Sequence, residues 1–260
     1  MWQFSIPYSE EIKHVIIIKH SVVCFGKLDM NKIFSLFAFS SILLMVAPTS
    51  YAQDKNDSGY YISTKIAGSK LKADNMETSL RPGIGQFIAG KNDDNLTSIS
   101  TGLGYSFGNG WRTEAEYTFK KDAEFTSGST NFVNSFNHHI IETQRLMFNA
   151  YRDFQVLNNI AIYGNIGLGV ARNESSGWQG NVSRQYLSNS ENQLIYSLGT
   201  GASYKPIKNL NIDLGYRYVD LGRTDSGLNN FRNVRNLQDE QMRANLYSSE
   251  FYLGARYAFN

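Results

Sequence analysis

LNIDLGYRYVDLG, residues Leu210 to Gly222, alternates with a period of two, as a strand does when successive side chains point to opposite faces. Leu210, Ile212, Leu214, Tyr216 and Tyr218 fall on one side, and Asn211, Asp213, Gly215, Arg217 and Val219 on the other. A soluble sheet would press its apolar side against helices or a second sheet. What those five apolar residues face depends on the rest of the chain.

The alternation recurs in blocks of about ten residues: Gly59–Gly68, Leu96–Phe107, Trp111–Lys120, Ile141–Phe154, Ile160–Ala171, Gln193–Lys205, Leu210–Asp220 and Asn245–Phe259. Ten residues at ~3.3 Å each, tilted by about 40°, rise roughly 25 Å, the height of an outer-membrane apolar band. The connections strictly alternate in length. Gly108-Asn109-Gly110, Gln155–Asn159 and Pro206–Asn209 are short, whereas Ser69–Asn95, Lys121–Ile140, Arg172–Asn192 and Leu221–Ala244 are long and polar. A membrane barrel has this asymmetry, because its periplasmic turns are tight and its extracellular loops are free to grow. With both termini periplasmic, the first connection must be external, and it is long.

Strand direction then assigns depth. Phe107, Trp111, Phe154, Tyr204 and Phe259 gather at the periplasmic rim, and Tyr117, Phe119, Tyr218 and Phe251 approach the outer rim, with small and aliphatic residues between. Aromatic rings prefer the membrane interface. Backbone polar groups cannot stay open in hydrocarbon, so the strands must close. The fold class expected is all-β: an eight-stranded antiparallel transmembrane β-barrel with long extracellular loops and short periplasmic turns. The apolar face of the opening stretch then meets lipid.

Composition agrees. The 260 residues suit one large all-β domain or two small ones. Charged residues are 18% and aromatics 13%, low and high respectively for a soluble domain. A mean hydropathy of −0.35 excludes a bundle of transmembrane helices. The one cysteine, Cys24, allows no internal disulfide framework. A net charge of +2 gives no reason to expect nucleic acid as a partner. Residues 30–52 carry a positive start, an apolar core and the small-residue end Ser50-Tyr51-Ala52, the pattern of a signal peptide, with Gln53 as the expected mature start. Residues 1–29 precede that complete signal, so they read as an over-called extension and the barrel domain as 53–260.

The inward faces carry Lys65, Arg112, Arg145, Arg217 and Arg256 against Glu114, Glu116, Asp153, Asp213 and Glu250. Five basic and five acidic groups can neutralise one another in a lumen that an eight-stranded barrel's side chains just fill. A rigid, plugged stave is expected over a narrow conducting path. For catalysis, His138 and His139 with Glu142 and Ser135 make a hydrolase triad conceivable, but neighbouring histidines on a strand face opposite ways. Two adjacent histidines also fall short of a metal ligand set. No catalytic, metal or cofactor site is assigned. The remaining candidates are the loop-four arginines, Arg223, Arg232, Arg235 and Arg243, with no acid between Arg232 and Arg235.

GLGYSF, YGNIGLGVA, LGTGASYKPIKNLNIDLGYRYVDLG and the terminal FYLGARYAF resemble the opacity-protein-type family of outer-membrane barrels, which includes surface antigens and adhesins such as the Hek and Tia group. The likeness spans about residues 59–260 and is strongest from Asn192 onward. It implies eight strands and host-surface binding by loops. The function expected is that of an outer-membrane surface protein or adhesin, with a small porin or structural barrel as the alternative. The partners expected are outer-membrane lipid and lipopolysaccharide, host-cell glycans or receptors, and the periplasmic chaperones and barrel-assembly machinery.

Overall fold

The computed structural model describes residues 58–76 and 85–259. The expected extension and signal peptide lie outside the described residues. Eight long strands carry the period-two pattern: β1 (Ser58–Asp74), β3 (Asp93–Phe107), β4 (Trp111–Ser129), β5 (Asn137–Leu157), β6 (Ile160–Gln179), β7 (Asn181–Ile207), β8 (Leu210–Asp225) and β9 (Arg243–Ala258). A short strand, β2 (Phe87–Ala89), lies in the first long connection. Sequence neighbours among the long strands pair antiparallel, and the β1–β9 and β4–β5 ladders complete the ring. The strip β2 pairs with the far end of β4, Phe87 opposite Ser129.

The short turns sit at one end of the ring. Gly108 and Gly110 have φ of 71° and 84°, a left-handed conformation that glycine adopts without steric cost, so the β3–β4 reversal is tight. At this end Tyr60, Tyr105 and Phe107 stack edge to face at 5.0 and 5.1 Å. A second ring of aromatics lies higher, with Tyr117–Phe119 at 5.2 Å and Tyr216–Phe251 at 4.8 Å. Between them aliphatic residues point outward. Leu214 of the opening stretch is 63% exposed and Leu168 63%, while Asp213, Gly215, Arg217 and Val219 turn into the barrel. Among the described residues no second layer covers the apolar face.

The strands run much further than ten residues, which corrects two of the expected loops. The segment 121–140 is mostly ladder, since β4 and β5 stay paired from Lys121↔Thr143 to Ser127↔Asn137. The segment 172–192 is a β6–β7 hairpin whose pairing reaches Gln179↔Asn181, turning at Gly180 with φ of 65°. The physical reason is a second hydrophobic core. Above the outer aromatic ring, Leu71, Ala123, Phe125, Ile141, Ala171, Ile195, Val219, Leu221, Ala244 and Leu246 point inward and pack together, each almost fully buried. The outward face there is polar, as at Lys120, Lys121, Asp122 and Arg172. Polarity thus inverts along β1, β4, β5, β8 and β9 while the period stays two.

Candidate functional site

The lower half of the lumen holds every one of the ten charged residues expected there, each against an opposite charge. At the turn end, Arg112 Nε donates to Asp153 at 3.0 Å, and Arg256 binds Asp213 at 2.6 Å while its Nη2 donates to Ser203 Oγ at 2.9 Å. Above them Lys65 binds both Glu114 and Glu116 and donates to Tyr151 Oη at 3.1 Å. Arg217 bridges Glu116 at 2.7 Å and Glu250 at 2.6 Å, and Arg145 donates to both Glu250 oxygens at 2.7 Å. Desolvating a charge costs several kcal/mol, and a buried charge persists only when its partner and hydrogen bonds offset that cost. Neutrality of the set is therefore a requirement for its burial.

Aromatic rings fill what the charges leave. Tyr163 and Tyr252 share a hydrogen bond at 2.9 Å, and the Arg112 guanidinium lies 3.7 Å from the Tyr151 ring centre, a cation–π contact. Glycine makes the room. A Cβ on Gly104 would fall 2.2 Å from the Tyr61 ring, and one on Gly201 2.4 Å from the Tyr163 hydroxyl. The inward glycines thus accommodate tyrosines as well as the long charged side chains. The sequence reading missed these inward tyrosines, although the glycines opposite Tyr61, Tyr163 and Tyr252 were an available signal.

The conceivable triad does not assemble. His138 Nδ1 lies 2.7 Å from Glu124 and its ring stacks on Trp178 at 4.7 Å. His139 faces inward, its Nε2 2.6 Å from Ser175 Oγ, and burial pushes its pKa down to about 4. Glu142 pairs instead with Lys120, and Ser135 lies in the β4–β5 connection beside Gly180. Ser175 is fully buried, which denies any substrate access to the His139–Ser175 pair.

The four loop-four arginines are spread over three elements. Arg223 lies near the end of β8 and binds Asp225 in a bidentate way at 2.9 and 2.7 Å, while Arg243 opens β9, 3.6 Å from the same carboxylate. Between them, 226–242 is a fixed loop. Asn229 and Asn233 accept the backbone N–H groups of Glu240, Arg235 and Leu237, and Leu187 of β7 bonds Leu228 and Gly227. Arg235 donates to Asp239 at 2.7 Å, so the absence of an acid between the two central arginines does not leave both unpaired. Among the described residues Arg232 donates to the Asn236 carbonyl, at 3.2 Å. Arg184, which sequence reading did not single out, lies 4.1 Å over the Phe231 ring and adds a cation at this tip.

Residues 39–259 match the outer membrane protein beta-barrel domain family. The chain is 25% identical over 243 residues to the outer membrane protein PagN of Salmonella typhimurium, covering 86% of this chain and 99% of that protein. Among solved structures it is similar to OprG of Pseudomonas aeruginosa, with a TM-score of 0.50 at 10% identity over 78% of this chain and 97% of OprG. It is also similar to the attachment invasion locus protein Ail of Yersinia pestis, with a TM-score of 0.42 at 17% identity over 78% of this chain and 99% of Ail. A closed ring of strands with an apolar, aromatic-bounded outer face and a neutralised lumen agrees with the matched sequence: the chain belongs to the outer membrane protein beta-barrel domain family, as an integral outer-membrane barrel of the opacity type.

Proposed function

We propose that this barrel is a surface adhesin whose extracellular end contacts host surface molecules or glycans. The observation that carries the reading is the exposure of apolar side chains beyond the membrane. Val133 is 66% exposed, Val182 65% and Val234 63%, all at connections or hairpin ends above the outer aromatic ring. Single exposed apolar side chains are ordinary, whereas grouped ones mark an interaction surface. Here the tips are joined by the Gly180–Phe136 and Leu187–Leu228 backbone bonds, with Phe132, Phe136, Leu187 and Leu228 exposed as well. The cations Arg184, Arg232 and Arg235 stand beside Phe231 and Val234 in the same region, and guanidinium forks match sulfate and phosphate oxygens. Ion pairs and aromatic rings fill the lower lumen, and His138, His139 and Glu142 each hold a partner outside the conceivable triad, which supports a non-enzymatic role. On this reading the periplasmic chaperones and the barrel-assembly machinery are the partners during biogenesis, and outer-membrane lipid and lipopolysaccharide surround the mature barrel.

The test is adhesion of cells displaying the protein to host cells and to sulfated glycans. Replacing Arg232 and Arg235 together by alanine should lower binding severalfold, while heat-modifiable gel migration stays as in the parent. Binding should also weaken as salt is raised, because exposed charges are screened over about 8 Å at physiological ionic strength. Unchanged adhesion in that variant, and in variants lacking each tip in turn, would leave a structural barrel.

A further inference from the structure

The barrel wall is incomplete at one place. The β3–β4 ladder runs only from Ser106↔Arg112 to Ser100↔Thr118. Just above, β4 carries a bulge between Thr118 and Lys121, one extra residue that bends the strand. From there β4 pairs with β5, and β3 continues along β1 as far as Lys72↔Asp93. The gap is bridged again higher up, where the Glu124 N–H donates to Asp94 at 3.2 Å and Thr126 exchanges backbone bonds with Gly90 and Lys91. A window therefore lies between Asn95–Ile99 and Phe119–Ala123. Unpaired strand edges cannot face hydrocarbon, and Phe119 with Tyr117 belongs to the outer aromatic ring. Both facts put the window at the level of the outer-leaflet head groups.

Behind the window is a small cleft that reaches the Arg145–Glu250 pair, with apolar walls from Leu71, Leu96, Phe119 and Leu221. Thr118, Thr143 and Arg145 also line it. Register makes them neighbours, since Thr118 is directly opposite Arg145, and Thr143 is the next inward position on β5. Arg145 Nε and the hydroxyls of Thr118 and Thr143 are buried and have no hydrogen-bond partner among the described residues. Arg145 is 5% exposed and Thr118 6%. Buried polar atoms are almost always satisfied, so three unsatisfied ones in one cleft call for a ligand or ordered water. Arg145 Nε can only donate, and each threonine hydroxyl is free to donate as well. The Glu250 carboxylate already accepts from Arg145, Arg217 and Ser248. At the rim Lys121 is exposed and has no ion-pair partner among the described residues, whereas Lys120 is held by Glu142 and Glu174.

We propose that this cleft binds the oxyanionic head of an outer-leaflet amphiphile, a carboxylate or phosphate, whose tail leaves through the β3–β4 window past Leu96 and Phe119. The head accepts from Arg145 Nε and the two threonine hydroxyls, and Lys121 attracts it from the rim. The apolar walls fit the first methylenes of the tail. A guanidinium N–H beside two hydroxyls free to donate, with the nearby Glu250 carboxylate already engaged, favours an oxyanion over a cation or a neutral alcohol.

The experiment uses the purified barrel in an uncharged detergent and titrates it calorimetrically with laurate, dodecyl phosphate, dodecanol and inorganic phosphate. Saturable one-to-one binding is expected for the first two alone. The isosteric double variant Thr118→Val/Thr143→Val should bind at least tenfold more weakly, and Lys121→Gln, which alters only an exposed rim residue, severalfold more weakly. Heat-modifiable migration verifies the barrel in each case. Dodecanol binding as well as laurate, or affinity indifferent to all three substitutions, overturns the proposal. Inorganic phosphate binding as tightly as dodecyl phosphate overturns the lipid source and leaves a free-anion site. The outcome is independent of adhesion, which this site does not contact.

Discussion

His139 illustrates how one side chain couples the barrel to its surroundings. It is buried among inward-facing residues of β5, hydrogen-bonded to Ser175, and burial holds its pKa near 4 against an ordinary value of 6.5, with Asp225 opposing that shift. The unfolded or locally opened strand takes up a proton below about pH 6.5 that the closed form refuses until about pH 4. Protonation therefore favours opening across that window, and stability falls as pH falls through it. The effect reaches up to about 3 kcal/mol at the acid end. Hydrogen exchange of the paired 137–141 and 173–179 backbone, corrected for intrinsic rates, should show faster opening at pH 4.5 than at pH 7. In His139→Gln, which keeps a polar group toward Ser175 but does not titrate, the pH dependence should disappear. Equal dependence in both proteins would assign it to other groups.

A strand such as β4, β5, β8 or β9 is two elements joined end to end. Its lower ten residues present apolar groups outward to lipid, and its upper part presents them inward to Phe125, Ile141, Ile195 and Leu246. A 21-residue strand such as β5 rises roughly twice the apolar band at the same tilt. The upper core should then behave like that of a water-soluble protein. Phe125→Ala removes a fully buried ring and should cost about 3–5 kcal/mol. That loss falls on the extracellular half, since the lower ladders keep their hydrogen bonds in lipid. Limited proteolysis should cut the variant between 121 and 140 while the membrane-embedded fragment stays protected and keeps its gel shift. Collapse of the whole barrel would show that the two halves fold as one unit.

At the scale of the molecule, the lumen is closed twice: by the neutral ion-pair set below and by the apolar layer above it. A permeating ion would have to break the first and dehydrate through the second. Planar bilayers containing the purified monomer should therefore show little steady current, with at most brief small openings. Large, stable, ohmic conductance would mean that one of these layers moves aside. The same stiffness suits a protein that holds a recognition surface well clear of the membrane, with loop four tied to β7 by the Leu187 bonds.

The sequence by itself determined the barrel. Period-two blocks, alternating connection lengths and aromatics at both rims each follow from the bilayer as solvent, so they are written locally and can be read locally. Leu214 outward and Asp213 inward needed no coordinates, and the lumen charges from Lys65 to Arg256 were legible from the same alternation. The extent of the strands was not. Asp122-Ala123-Glu124-Phe125 alternates as regularly as the lower strand, but its polar side faces out, and read singly it resembles a charged loop. Only the meeting of several such segments round the ring makes its apolar side a core. Partner choice was equally out of reach. Glu142 lies near His138 in sequence and pairs with Lys120, and Arg235 finds Asp239. The β3–β4 window and the unsatisfied trio behind it depend on one extra residue in β4 and on where β2 rejoins the sheet. Register between strands distant in sequence decides such features, because a barrel fixes its cross-strand neighbours only once it has closed.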